Sequence, residues 1–271
     1  TLTLNEALEL QTLVQETGLL FGLTHTYTGY PMVKEARHLV AEGQLGKLRK
    51  VVVEYTQGWL AEKETEDNKQ ASWRTNPATA GKSGCMGDIG SHAGNLAEYI
   101  TGEQIEEVCA ELSTFVEGRL LDDDGIALVK LSSGIKGIVH ASQVAAGEEN
   151  NLTIRVYGEK GGLEWHQQEP NSLIVKWLNQ PMQVLRSGGN HSPYANANTR
   201  TPMGHPEGYL EAFANIYRNV SGAITAHKTQ QTSDPISADY PTIADGVHGM
   251  AFIEALVESS HSDQKWYRVK R

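Results

Sequence analysis

The sequence predicts an α+β chain, an open, mainly antiparallel sheet with helices on one face, preceded by the last helix and strand of an α/β layer. Three observations predict it. The N-terminal segment passes from a capped helical pattern into a continuous apolar run. The middle of the chain switches to period two across consecutive hairpins. The C-terminal part returns to two helical patterns.

Thr3-Leu-Asn-Glu6 reads as a capping box, in which a hydroxyl and a carboxylate satisfy unpaired amides at a helix start. Ala7, Leu10 and Val14 follow at helical spacing, and Gly18 suits the stop. Leu19-Leu-Phe-Gly-Leu23 is apolar throughout, as expected of a strand buried on both faces. Pro31 opens a second helix over Met32 to Ala41. Lys50 to Tyr55 reads as a strand. Leu60 to Ala80 reads as a long functional loop, followed by the Gly/Ser-rich run Gly81 to Gly87 and a helix from Gly90 to Ile100. Ala127–Leu131 with Ile135–Ser142, and Asn151–Tyr157 with Leu163–Gln167, read as hairpins; Ser172–Leu178 and Met182–Arg186 add two strands. Gly188 to His205 is a second polar loop. The closing helices span Glu207–Val220, with Leu210, Phe213, Tyr217 and Val220 on one face, and Pro241–Ser259. Tyr209, Phe213 and Tyr217 read as core.

Composition narrows the function classes. A formal net charge of −10 over 271 residues repels phosphate backbones, which argues against nucleic acid as a partner. The acidic block Asp122, Asp123, Asp124 reads as a solvated loop. Two cysteines, Cys85 and Cys109, do not make a disulfide framework, and a reducing, cytoplasmic compartment fits. No apolar stretch reaches the length of a membrane span, and no signal peptide is visible.

The strongest local signal is Gly84-Cys-Met-Gly-Asp88-Ile-Gly-Ser-His92, where a glycine-rich loop meets a helix. Asp88 and His92 are four apart, so both can project from one helix face. An imidazole moves protons near neutral pH, and a carboxylate beside it can hold its tautomer. Oxidation of an alcohol needs such a base. The same pair also fits an N-cap aspartate followed by an ordinary helix histidine. A metal site is the third alternative, but no further ligand lies at close spacing, and the chain has no His-x-His or His-x-x-x-His pair.

Trp73-Arg74 and the run Gly84 to Gly102 resemble the Gfo/Idh/MocA family of oxidoreductases. So do Thr24-His-Thr-Tyr27 through Tyr30-Pro31, the Ser133-Gly134 hairpin, Gly204-His-Pro-Glu-Gly-Tyr209 and Asp245-Gly-Val-His-Gly249. Together these pieces cover essentially all of the chain. The resemblance implies hydride transfer between NAD or NADP and a secondary hydroxyl of a sugar or cyclic polyol, as in inositol dehydrogenases. It implies His92 as the proton acceptor and Asp88 as its support. It also implies a C-terminal sheet domain that packs into homodimers or homotetramers through its face. Residues 1–30 would then be the remnant of a truncated Rossmann domain, and residues 31–271 the substrate-binding and oligomerisation domain. The family's dinucleotide loop is not found, and its Glu-Lys-Pro motif would fall just before Thr1. The chain alone is therefore expected to be inactive and to bind NAD negligibly.

Other candidates carry two readings each. Tyr27 faces the nicotinamide or the substrate, or packs at a domain junction. Trp59 and Trp73 stack on a sugar ring or serve as packing. Arg74 binds hydroxyls or a carboxylate, or anchors its loop. His205 reaches the substrate or packs at a helix start. His191 and Tyr194 line the cleft or are simply exposed, and His248 reads as a packed, satisfied histidine. Against the dehydrogenase stands a non-catalytic dimerisation or ligand-binding fragment without a cofactor site.

Overall fold

The computed structural model describes residues 1–63 and 69–270, apart from the side chains of residues 69, 70 and 72. Helix α1 (Leu4–Thr17) begins at Thr3, whose hydroxyl accepts from the Glu6 amide at 3.2 Å. The Glu6 carboxylate reaches back to the Leu2 amide, and Gly18 ends the helix in the left-handed region at φ 66°. The predicted strand Leu19–Leu23 does not form. A parallel strand needs neighbours for its amides and carbonyls; here the Leu19 amide donates to Thr17 Oγ1 and the Leu23 amide to the Pro241 carbonyl, and among the described residues no strand pairs with the segment. Leu19 is left 67% exposed.

A 3₁₀ turn (Thr26–Gly29) leads into α2 (Pro31–Ala41) and β1 (Leu48–Thr56). Residues 64–68 of the predicted loop lie outside the described residues; the described remainder holds the short helices α3 (Lys69–Thr75) and α4 (Pro77–Ala80). A single π-helical turn (Met86–Gly90) runs into α5 (Ser91–Thr101). The strands β2 (Ile105–Ser113), β3 (Asp124–Leu131), β4 (Lys136–Ser142), β5 (Asn151–Gly158), β6 (Gly161–His166), β7 (Ser172–Trp177) and β8 (Gln183–Arg186) follow. The second polar loop contains a short helix, α6 (Pro193–Ala197). Helices α7 (Tyr209–Lys228) and α8 (Ile243–Ser260) and the short β9 (Tyr267–Arg268) complete the chain.

The nine strands form one sheet in the order β8-β7-β6-β5-β1-β4-β3-β2-β9. Only β1 and β4 run parallel; every other neighbouring pair is antiparallel. Helix α2 lies on β6 and β7, α5 on β1, β4 and β5, and α8 on β2, so one face is covered. Alternation along the strands serves that face: Val51, Val53, Ala127, Val129, Val139, Ile154 and Val156 are fully buried. The partners of these residues on the other face, among them Ile126, Leu128, Arg155 and Tyr157, are half-buried or exposed.

Two sequence expectations are corrected here. On α7 three of the residues expected to pack inward are exposed, Leu210 at 77%, Tyr217 at 63% and Tyr209, while Phe213 and Val220 are half-buried. The buried face is Ala212, Asn215, Ile216, Asn219 and Ala223. This helix packs on the Thr26–Gly29 turn, whose backbone carbonyls need donors. Asn215 Nδ2 donates to the Gly29 carbonyl at 2.8 Å, and Asn219 Nδ2 to that of Asp239 at 2.9 Å. The approach is so close that a Cβ at Gly29 would lie 2.2 Å from the Ala212 carbonyl oxygen. The acidic block is likewise no solvated loop. Asp122 Oδ1 and Oδ2 accept from the Gly84 and Met86 amides, both at 2.8 Å. Buried Asp123 accepts from the Phe115 and Val116 amides and pairs with Arg119, and Asp124 lies 3.5 Å from His140. Backbone amides at two turns are what Asp122 and Asp123 face, and an imidazole is what Asp124 faces.

Candidate active site

A cleft of about 790 Å³ opens where the Thr26–Gly29 turn, the π turn, the C-terminal end of β1 and the start of α7 meet. Asp88 and His92 both line it, as do Arg74 and Tyr27. Asp122 fixes the π turn from below, because its carboxylate holds two of the turn's leading amides, and burial pushes its own pKa up. Ser83 Oγ takes a third amide, that of Gly87, at 2.9 Å.

Asp88 is held by two donors on one oxygen: Arg74 Nε at 2.6 Å and Gln143 Nε2 at 2.8 Å. The guanidinium also lies over the Trp73 and Trp59 rings, 5.0 and 5.6 Å from their centroids. Among the described residues no hydrogen bond joins Asp88 to His92, so the carboxylate acts on the imidazole through its charge. Burial lowers the His92 pKa below the usual histidine value, and the Asp88 charge opposes that shift. The partner of the ring is His25, whose Nδ1 lies 3.2 Å from His92 Nδ1, with the rings edge to face at 87°. Burial, then the facing His92, pulls the His25 pKa down to about 3.

Tyr27 stands at right angles to the His92 ring, centroids 5.3 Å apart. Its hydroxyl hydrogen-bonds that of Tyr55, which donates to Asn150 Oδ1 at 2.8 Å. Gln57 Nε2 donates to the same oxygen at 2.6 Å, and Trp59 Nε1 donates to Gln57 Oε1 at 2.8 Å. This relay makes one polar wall of the cleft. Burial raises the pKa of Tyr27 and Tyr55, which keeps both phenols protonated. Thr26 Oγ1 is buried, has no hydrogen-bond partner among the described residues, and belongs to a residue lining the same cleft.

The remaining sequence candidates lie elsewhere. Trp73, 51% exposed, sits behind Arg74 and outside the cleft. His205 is exposed, with Nδ1 facing the Pro202 carbonyl at 3.3 Å, and it does not line the cleft. His191 bonds the Arg186 carbonyl and lies 3.7 Å from Glu35, and Tyr194 lies beside Lys34 and Arg37; neither lines the cleft. His248 is satisfied by Glu98 at 2.7 Å. Sequence reasoning missed His25, Tyr55, Gln57, Gln143 and Asn150. His25 lies in the Thr24–Tyr27 run already singled out. The others come from strand ends and loops that no short motif marks. Among the described residues no group of three or more His, Cys, Asp or Glu side chains could hold a metal ion. No helix among them is long and apolar enough to cross a membrane.

Comparison with known proteins adds the following. The GFO/IDH/MocA C-terminal domain profile matches residues 33–164. The Bacillus subtilis (strain 168) protein named uncharacterized oxidoreductase YfiI is 31% identical over 98% of this chain and 68% of its own length. Levoglucosan dehydrogenase of Pseudarthrobacter phenanthrenivorans is 25% identical over 94% of this chain and 68% of its own. The crystal structure of an inositol dehydrogenase homolog from Azotobacter vinelandii, complexed with NAD+, superposes with a TM-score of 0.93. It is 32% identical over 98% of this chain and 69% of that one.

Proposed function

The chain belongs to the GFO/IDH/MocA family of oxidoreductases, and from that membership we propose that the complete protein moves a hydride between NAD(P) and a secondary hydroxyl of a sugar or cyclic polyol. The observation that carries the reading is the position of His92: its imidazole lines an open cleft, held by a neutral partner and beside a fixed carboxylate. The named activities of the relatives, an inositol dehydrogenase homolog and a levoglucosan dehydrogenase, supply the substrate class.

His92 Nε2, the ring nitrogen not committed to His25, takes the hydroxyl proton as the carbonyl forms. Asp88 stabilises the resulting imidazolium by its charge, and Arg74 and Gln143 keep that carboxylate in place. The relay from Tyr27 to Trp59 offers hydroxyl-binding groups along one wall, and the exposed Trp59 ring offers a face to sugar C–H groups. The buried Thr26 hydroxyl beside Tyr27, without a partner among the described residues, fits the hydrogen-bonding carboxamide end of a nicotinamide. NAD(P), when bound, supplies the hydride acceptor. Tyr27 and Arg74 are thus the substrate-facing candidates, since Trp73 and His205 do not line the cleft.

Residues 1–30 are assigned to the dinucleotide-binding unit and 31–271 to the substrate-binding unit. The domain profile, which starts at residue 33, and the exposure of Leu19 and Leu20 support that division. The sheet face opposite the helices, with Ile126, Leu128 and Val184 exposed, is assigned to contact with a second copy, giving a homodimer or homotetramer. Incubation of the complete protein with NAD+ or NADP+ and a panel of cyclic polyols and sugars should generate reduced nicotinamide. No reduction across the panel would remove the reading. A monomer in sedimentation at micromolar concentration would remove the oligomer assignment.

A further inference from the structure

The geometry points to His25 as the positioning residue that sets the tautomer of His92, through an imidazole–imidazole hydrogen bond between their Nδ1 atoms. This rests on the reading of His92 as the proton acceptor. A base that works through Nε2 must leave that nitrogen bare, so its proton must sit on Nδ1 and needs an acceptor there. In many histidine sites a carboxylate fills that role. Here the nearby carboxylate does not fill it: Asp88 accepts from Arg74 and Gln143 on Oδ2, and among the described residues it makes no hydrogen bond to the ring. The atom that does face His92 Nδ1 is His25 Nδ1, at 3.2 Å.

Two like nitrogens at that distance share one proton: one must donate and the other must accept. In the working arrangement His92 Nδ1–H donates to the bare Nδ1 of His25, whose own proton sits on Nε2. When His92 takes the substrate proton on Nε2, its Nδ1–H stays in place and the ring becomes a cation bonded to a neutral acceptor. The acceptor remains neutral because a second charge would put two cations face to face in a buried site; the low His25 pKa agrees with that. The edge-to-face contacts of His92 with His25 and Tyr27 fix the ring plane, so only the proton position is left for the hydrogen bond to decide. His25 is itself placed by the Thr26–Gly29 turn, where Thr28 donates its hydroxyl and its amide to the His25 carbonyl. The division of labour is thus unusual: Asp88 supplies charge and His25 supplies orientation.

The test is ring-nitrogen NMR of the complete protein with ¹⁵N-labelled histidine, together with kinetics. The expected spectrum has His92 protonated on Nδ1 and bare on Nε2, with a through-hydrogen-bond coupling to His25 Nδ1. The opposite polarity, with His25 donating and His92 protonated on Nε2, would overturn the inference without any variant. His25→Leu should lower kcat by about tenfold or more, the usual scale for losing an orienting partner, with KM little changed. His25→Asn, which returns an oxygen acceptor near the Nδ1 position, should recover most of that loss. Equal damage in both variants would reduce His25 to a packing residue and sink the inference. Full activity of His92→Gln would sink the base assignment itself. An inactive His92→Gln beside a fully active His25→Leu would sink only the role of His25.

Discussion

His92 and His248 stand on neighbouring helices and are both half-buried, yet their surroundings make them different objects. His248 Nε2 bonds Glu98 Oε1 at 2.7 Å, and the same carboxylate oxygen accepts the Ile105 amide at 2.7 Å. That imidazole is a tie between α8, the end of α5 and the start of β2. His92 has a neutral imidazole for its partner and a cleft in front of it. The Glu98 carboxylate ties His248 into the packing between elements, whereas the Asp88 carboxylate, held nearby by other donors, leaves His92 at the edge of a cleft.

The widest expected gap between the two is in turnover. In the complete protein, His92→Gln should lower kcat by about 10²-fold or more, whereas His248→Gln should leave it within about twofold. Comparable losses in both would erase the distinction. Next comes the support beneath His92. Asp122→Ala strips the acceptor from two amides at the entry to the π turn, which at about 1–3 kcal/mol per unsatisfied buried group costs about 2–6 kcal/mol in chemical denaturation. A loss below about 0.5 kcal/mol would show that the turn stands without it.

Acid should reveal the two cleft imidazoles as well. Both are held below the ordinary value of 6.5, His25 to about 3. The unfolded chain takes up protons below pH 6.5 that the folded chain refuses. Their contribution to stability is therefore complete above 6.5 and falls as the pH drops from there toward 3. The slope is at most about 1.4 kcal/mol per pH unit for each histidine. Denaturation midpoints followed from about pH 7 to pH 5 should fall less steeply for His25→Leu than for the native sequence. Parallel slopes would contradict the burial of His25 in its neutral form. The smallest effect belongs to His248→Gln, a stability loss of about 0.5–1.5 kcal/mol for one hydrogen bond. No change would mean that Glu98 does not need it.

The hairpins and the Asp88–His92 segment were legible in the sequence because their signals are local: period-two alternation, turn residues, and a glycine-rich entry to a helix. What was illegible depends on contacts distant in the chain. The apolar Leu19–Leu23 run has the composition of a buried strand, but strands exist only in pairs, and pairing is not written in one segment. On α7 the helical spacing was right and the facing was wrong, since Asn215 and Asn219 are drawn inward by loop carbonyls far away in sequence. Asp122 looked like a solvent-facing charge because the amides it serves lie 36 and 38 residues earlier. Of the cleft, the charged pair could be read, but not Gln143 or Asn150, which lie just past the end of β4 and just before β5 with no pattern of their own.

The π turn at Met86–Gly90 works as a phase shifter. A wide turn carries more residues than an α-helical one, and each residue of an ordinary helix advances the rotation by about 100°. Everything downstream of Gly90 is thereby rotated relative to a helix that ran on regularly from Cys85. The imidazole of His92 points where it does because the ribbon was paid out one notch further before the regular winding resumed. Shortening the turn by one residue would swing the ring around the helix axis and out of the cleft while leaving His92, Asp88 and His25 themselves unchanged.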